Sequence, residues 1–173
     1  MTSVEGRMTT ADEQFAISHS SFVIKRAVLR DLSAAHALEH ACFGRDGWGY
    51  FDLFGALIFP GTIRLKAVVD DRLVGFAVGD SRSFDREAWI ATIGVHPDYQ
   101  RRGIGEALLV ACEAALREPV IKLTVRASNR AAIALYRKFG YERAGVWRRY
   151  YSGGEDGIVM EKNRRQSALS SRQ

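Results

Sequence analysis

Residues 100–106, Gln-Arg-Arg-Gly-Ile-Gly-Glu, have the types and spacing of an anion-binding turn. An apolar run that begins near Ala88 closes on Ile93 and Val95, and Pro97 stops it, because proline has no amide to give a strand ladder. Gly103 and Gly105 then open a stretch in which Ile104, Leu108, Leu109, Cys112, Ala115 and Leu116 recur at helical spacing. The first amides of a helix lack intrahelical partners and sit at its positive end, and glycine lets a ligand approach the backbone closely. A strand, a glycine turn and a free helix N-terminus therefore form a cradle for pyrophosphate, with Arg101 and Arg102 adding charge beside it. The same spacing also serves a plain strand-to-helix connection, and a short glycine motif alone does not decide between the two.

No Gly-Lys-Ser/Thr follows, so the turn is not a Walker A loop. The third glycine of the dinucleotide fingerprint is missing too, and the strand comes late in the chain. The stretch resembles motif A of the GNAT superfamily of acyl-CoA-dependent N-acetyltransferases, Q/R-x-x-G-x-G/A, read here as Gln100 to Gly105 and preceded by Val95, Pro97 and Tyr99. Residues 123–141 are similar to motif B of that superfamily, with its N-x-x-A-x-x-L-Y-x-K-x-G-F ending. The run Val125–Tyr136, Arg148–Tyr151 and Glu155–Met160 resemble the RimI type within it, which acetylates the N-terminal α-amine of a ribosomal protein. The similarity spans about residues 22–161 and is densest after Glu87.

That resemblance implies acetyl-CoA as acetyl donor and coenzyme A as product. It implies that backbone groups of Ile93, Gly94 and Val95 pair with the pantetheine arm. Arg101, Arg102, Gly103, Ile104, Gly105 and Glu106 would cradle the pyrophosphate, and Asn129 would touch the cofactor near its thioester. Tyr136 would be the general acid. Direct transfer has a neutral amine attack the thioester carbonyl, and a backbone amide near 93–95 can stabilise the oxyanion that forms. The leaving thiolate, whose thiol has a free pKa of ~8.5, gains from a nearby proton donor such as a phenol. By spacing alone, Tyr136 reads as a core tyrosine, sharing a helical face with Ala132, Leu135 and Phe139.

One residue departs from the pattern. The superfamily's general base is a glutamate in the strand before motif B, and this chain has Thr124 there, in Leu-Thr-Val-Arg. Threonine is no base near neutral pH. Glu87 or His96 could act through water. Alternatively, the acceptor needs little help: an α-amine, pKa about 7.7–8.0, is already partly neutral, whereas lysine, near 10.4, carries roughly a 3 kcal/mol penalty. The third possibility is an acceptor of another kind.

These groups must be positioned by a scaffold, and the pattern predicts one. A strand is expected at 22–28, then a helix capped by Asp31 with Leu32, Ala35, Leu38 and Cys42 on its apolar face. A glycine-broken turn at 43–50 leads to a short helix over Tyr50–Phe59, ended by Pro60-Gly61. Strands follow at 62–70 and 73–81 around the Asp70-Asp71-Arg72 turn, and again at 88–95. After a helix over 104–117 come a strand at 120–126, a helix capped by Ser128 and closed by Gly140, and strands near 141–149 and 156–161. The order β-α-α-β-β-β-α-β-α-β-β is that of the GNAT fold, an α/β (α+β) class. It implies a mixed, mostly antiparallel sheet of about six to seven strands flanked by about four helices.

The expected organisation is a tail over 1–20, one acetyltransferase domain over 21–162 and a basic tail over 163–173, with Lys162, Arg164, Arg165 and Arg172 supplying most of the net charge of +5. No basic stripe interleaved with aromatics argues for nucleic acid. Neither an apolar span nor a secretory leader is apparent, so the expected setting is cytoplasmic and off the membrane, for a monomer or homodimer. Cys42 and Cys112 lie far apart without metal-ligand spacing and read as reduced thiols. His36 and His40 stand at i, i+4 with no third ligand evident, so no metal is expected. Trp48 and Tyr150, with Tyr50 and Tyr151, are candidates to line an acceptor groove, and Asp46, Glu155 and Asp156 to hold a cationic amine. The expected function is acetyl transfer from acetyl-CoA to a primary amine, foremost a protein or peptide N-terminal α-amine. The alternatives are a small-molecule amine (polyamine, amino acid or antibiotic) as acceptor, or a non-catalytic acyl-CoA-binding module.

Overall fold

The computed structural model describes residues 17–19, 21–82 and 86–164. In chain order the elements are β1 (Ile17–His19), β2 (Phe22–Arg26), α1 (Leu32–Phe43), α2 (Tyr50–Ile58), β3 (Thr62–Val69), β4 (Arg72–Arg82), β5 (Glu87–Val95), α3 (Ile104–Ala115), β6 (Val120–Arg126), α4 (Arg130–Lys138), β7 (Glu142–Tyr151) and β8 (Glu155–Asn163). The strands form one sheet in the order β1-β2-β3-β4-β5-β6-β8-β7. Neighbours β5 and β6 run parallel and the other pairs antiparallel. The expected element order holds, and β1 adds an eighth strand.

Both domain edges move. Residues 17–19 pair with β2, Ile17 opposite Ile24 and His19 opposite Phe22, so the N-terminal tail cannot reach residue 20 as expected. Three residues carry no readable alternation, and only pairing with β2 makes them a strand. At the other end β8 runs to Asn163, and the Arg164 guanidinium donates to the carbonyls of Leu116 and Glu113. Residues 1–16 and 165–173 lie outside the described residues.

The sheet is covered on both faces. On one face α3 buries Ile104, Leu108, Leu109, Ala111 and Cys112 against Ala88, Ile90, Ile121 and Leu123. On the other, α1 and α2 bury Ala35, Leu38, Leu53 and Leu57 against Phe76 and Val78. The strand period of two sends Phe76 and Val78 to one face and Ala77 to the other.

Two caps differ from expectation. The Asp31 side chain does not cap α1; its carboxylate accepts the Val28 N–H at 2.8 Å and pairs with Lys66 Nζ at 2.7 Å. The cap of α4 is Asn129 rather than Ser128, its Oδ1 accepting the Ala132 N–H at 3.1 Å. The Asp70-Asp71 turn is as expected, both residues left-handed at φ 45° and 60°, the pairing that suits a tight hairpin.

The functional geometry begins at a bulge in β5. Gly79 faces Ile90 and Val78 faces Thr92, so Ala91 has no partner of its own on β4. The extra residue shifts the alternation by one. Before it, Ala88 and Ile90 join the α3-side core; after it, Ile93 and Val95 pack against that core and Thr92 turns to α1. A bulge also bends its strand. Accordingly β5 pairs with β6 only from Glu87–Val120 to Ile90–Leu123, while β6 stays with β8 as far as Arg126–Gly157. Beyond Ile90 the two parallel strands part, and a gap opens through the sheet.

Candidate active site

The gap is a cavity of about 640 Å³. Glu39, Asp46 and Trp48 line it from the α1–α2 side, Trp147, Tyr150 and Tyr151 from β7, and Asn129 and Tyr136 from α4. Ile93, Asn129, Tyr136, Trp48 and Tyr150, expected to act together, therefore meet around one space although they span a hundred positions. Because the strands splay here, the cavity is lined both from the α1 side and from the α4 side.

Of the predicted cofactor residues, Ile93 and Asn129 line the cavity, and the others follow on β5 and at the start of α3. Along Ile93, Gly94 and Val95, β5 is hydrogen-bonded to β4 on one edge and has left β6 on the other. A strand edge of this kind offers its amides and carbonyls to an extended ligand. Gln100 Nε2 donates to the Val95 carbonyl at 3.0 Å, which ties the following loop back to the strand. Arg102 is anchored by donation to the Asp98 carbonyl at 3.0 Å and lies over the Tyr99 ring. Gly103 takes φ +80° as the N-cap of α3 and makes no side-chain cap, which leaves the amides of Ile104, Gly105 and Glu106 free of intrahelical acceptors. A Cβ at Gly103 would meet nothing within 4 Å, so the surface there is open to a ligand. Glu106, the acid in this first turn, is paired with Lys138 Nζ of α4 at 2.7 Å, which offsets its charge beside the cradle. Open amides and a helix dipole at this turn are features that favour an anion.

Tyr136 is 6% exposed and its ring lies edge-on to Tyr141, centroids 5.8 Å apart. Burial pushes its phenol above the ordinary range, so it stays protonated and can act as a donor. It is packed in the core and also lines the cavity.

The sequence reading missed the most informative acid. Glu39 of α1 is 1% exposed. Its Oε1 accepts the Thr92 hydroxyl at 2.7 Å, and its Oε2 accepts the Trp48 N–H at 3.2 Å. Burial raises its pKa; the hydrogen bonds from Thr92 and Trp48 and the nearby His40 pull the other way. A buried carboxyl with a raised pKa on a cavity wall is a candidate for proton transfer. Its signal in the sequence was a carboxylate on an apolar stripe, four residues after Ala35 and three before Cys42.

The bases considered from sequence lie elsewhere. Glu87 is paired with Lys122 Nζ at 2.6 Å and does not line the cavity. His96 lines a separate hollow with Tyr99 and Arg102, its Nδ1 accepting the Asp98 N–H at 3.3 Å. Thr124 does face the cavity, and its Oγ1 is buried without a hydrogen-bond partner.

The acids expected to hold a cationic amine are already committed to protein groups. Asp46 Oδ1 accepts the Ser152 N–H at 2.9 Å, and its Oδ2 pairs with Arg126. Glu155 pairs with the same Arg126 and accepts the Ser128 N–H at 2.8 Å. Asp156 accepts from Arg148 at 2.7 Å and from the Arg149 N–H at 2.9 Å.

Other candidates fall away. Burial pushes both thiols, Cys42 and Cys112, up to about 12, far from a reactive thiolate. The His36 and His40 Nε2 atoms lie 3.1 Å apart, hydrogen-bonded to each other, and among the described residues no group of three metal-ligating side chains exists. Nor, among these residues, is any helix long and apolar enough to cross a membrane.

Residues 32–141 match the Acetyltransferase (GNAT) family. The chain is 39% identical over 135 residues to the [Ribosomal protein bS18]-alanine N-acetyltransferase of Salmonella typhimurium, covering 73% of this chain and 82% of that one. It is 44% identical over 139 residues to the N-alpha-acetyltransferase RimI of Mycobacterium tuberculosis, covering 77% and 87%. Among solved structures, the ribosomal-protein-S18-alanine N-acetyltransferase from Escherichia coli superposes with a TM-score of 0.75 at 31% identity, over 82% of this chain and 93% of that one.

Proposed function

The chain belongs to the GNAT family of acetyltransferases, and from that premise we propose that it transfers acetyl from acetyl-CoA to the N-terminal α-amine of a protein or peptide. One observation carries the reading: the splay between β5 and β6 brings a buried carboxyl, Glu39, and a buried phenol, Tyr136, to the walls of a single cavity lined from both faces of the sheet. The acceptor class follows from the relatives at 39% and 44% identity, both of which are named for N-terminal or alanine acetylation.

Acetyl-CoA supplies the activated acyl group. The chain's own residues do the rest. The free edge of Ile93–Val95 would hold the pantetheine arm in an extended form, and the 101–106 loop with its open amides would hold the pyrophosphate. Asn129, fixed as the cap of α4, would stand beside the thioester. Glu39 would take the proton of the acceptor ammonium, a role in which the Thr92 hydroxyl holds its Oε1 in place. Tyr136 would give its proton to the departing sulfur. This division explains Thr124: the carboxyl absent from β6 is supplied by α1, from across the same cavity.

The test is acetyl-CoA turnover, followed as thiol release, against three groups of acceptors. They are peptides with free N-termini, the same peptides blocked at the α-amine but carrying lysine, and small amines. Release with free N-termini alone is the expected result. Release with small amines alone assigns the cavity to them, and tight coenzyme A binding with no release in any group makes the chain a binding module.

A further inference from the structure

We propose that Asp46 clasps the two lips of the acceptor side of the cleft and so sets the width of the chain end that reaches Glu39. The inference rests on the proposed acceptor site and concerns which members of that class enter it. One lip is the connection between α1 and α2, where Asp46 ends a short 3-10 turn over Gly44–Asp46. The other is the loop between β7 and β8. The Asp46 side chain crosses from the first to the second, Oδ1 accepting the Ser152 N–H at 2.9 Å and Oδ2 pairing with Arg126 at the end of β6.

Both anchorages are firm. On the α1 side, Gly47 lies so close to the helix that a Cβ there would stand 2.8 Å from the Glu39 carbonyl oxygen. The turn carrying Asp46 is thereby seated directly on the residue read as the base. On the far side, Arg126 also pairs with Glu155 and lies over the Tyr151 ring, 4.7 Å from its centroid, while the Tyr151 hydroxyl donates to the Thr124 carbonyl at 3.1 Å. Asp46 and Arg126 are 15% and 30% exposed at their side chains, sheltered enough for a charged pair to hold its geometry. Trp48, Tyr150 and Tyr151 then form the walls around the bridge. An amine must pass beside this bridge, so its flanking side chain is selected by size rather than by charge, Asp46 having already spent its charge on Arg126.

The test compares the parent, Asp46→Ala and Asp46→Asn with free α-amine peptides whose first residue is Gly, Ala, Leu or Phe, each giving kcat and KM. Asp46→Ala is expected to raise kcat/KM for Phe-ended relative to Gly-ended peptides by about tenfold, mostly through KM, the scale on which pocket size discriminates side chains. Asp46→Asn, which keeps an acceptor for Ser152 but loses the charge on Arg126, should fall between. An unchanged Phe-to-Gly ratio in Asp46→Ala, with coenzyme A binding retained, overturns the proposal. So does an equal loss of kcat on every peptide, which would mark general damage to the site. If the parent acetylates only small amines, the acceptor assignment fails by itself, and the same ratio measured with narrow and branched amines still judges Asp46.

Discussion

Thr92 on β5 donates its hydroxyl hydrogen to Glu39 Oε1 on α1 at 2.7 Å, across 53 positions of chain. The bulge at Ala91 makes this contact, because without the extra residue Thr92 would face α3. A structural irregularity thus delivers a hydroxyl to a carboxyl that burial alone would leave too weakly acidic to ionise readily.

Burial raises the pKa of Glu39, so the basic form is gained, and kcat/KM rises, as pH climbs through that raised value. Thr92→Val removes a bond that favours the charged form and should move the acid limb of the profile to higher pH. Glu39→Gln should lower kcat/KM by about 10²–10⁴, the usual worth of a positioned base, with coenzyme A affinity unchanged. Stability should shift oppositely. The folded carboxyl binds its proton more tightly than the unfolded one, so folding loses stability as pH rises from the ordinary glutamate range through the raised value. Glu39→Gln escapes that loss and should melt higher than the parent at neutral pH in calorimetry.

Tyr136→Phe keeps the ring that packs against Tyr141 and removes only the hydroxyl. We expect kcat to fall by about 10²-fold or more, the lower range for a positioned proton donor, and coenzyme A affinity to stay within error by calorimetric titration. The phenol's upward shift puts its ionisation above the working range, so the parent should show no basic limb from this residue. A fully active variant would return Tyr136 to a packing role.

Much of this was legible in the sequence. The glycines of 103–105 marked the start of α3 because helix-start chemistry is local, and alternation and helical spacing marked the strands and helices for the same reason. What stayed hidden was made by distant contact. Glu39 reads as one more polar residue of an amphipathic helix until Thr92 and the Trp48 amide close over it. Asp46, Glu155 and Asp156 read as free loop acids because their arginine and amide partners come from other elements, Asp46 reaching 106 positions to Ser152. Asp31 was misread for a local reason, since two possible acceptor geometries compete and the turn at Val28 wins with help from Lys66 on β3.

The two glycines of the cradle should behave differently. Gly103 sits at φ +80°, where a side chain is strained by about 1–2 kcal/mol whatever space it finds. Gly103→Val should therefore lower the melting temperature and also abolish coenzyme A binding, since its branches occupy the open face of the loop. Gly105 lies within α3, and a Cβ there meets Val95 and Leu135 at 3.7 and 3.9 Å, ordinary contact distances. Gly105→Ala should bind coenzyme A within about threefold of the parent and gain up to ~1 kcal/mol of helix stability. Equal loss in both variants would mean that the turn tolerates no added side-chain atom, even at Gly105, where the protein itself leaves room for one.

Thr124 provides the sharpest separation between the acid on α1 and the position on β6. Its hydroxyl is buried at the cavity wall with no hydrogen-bond partner, which costs about 1 kcal/mol or more relative to a methyl of the same shape. Thr124→Val should raise stability by roughly that amount, about 2–4 °C in melting temperature for a domain of this size, and leave turnover within about twofold. A tenfold loss of kcat would instead put the hydroxyl in the proton path. Thr124→Glu asks the converse. It sets a second carboxyl in the cavity that Glu39 lines, and like charges in a sheltered space hold at least one of the two protonated. The acid limb of the profile should then move to higher pH in an otherwise active enzyme. If it does not move, the two positions do not share a field, and Glu39 loses the role that its burial and its bond to Thr92 assign it.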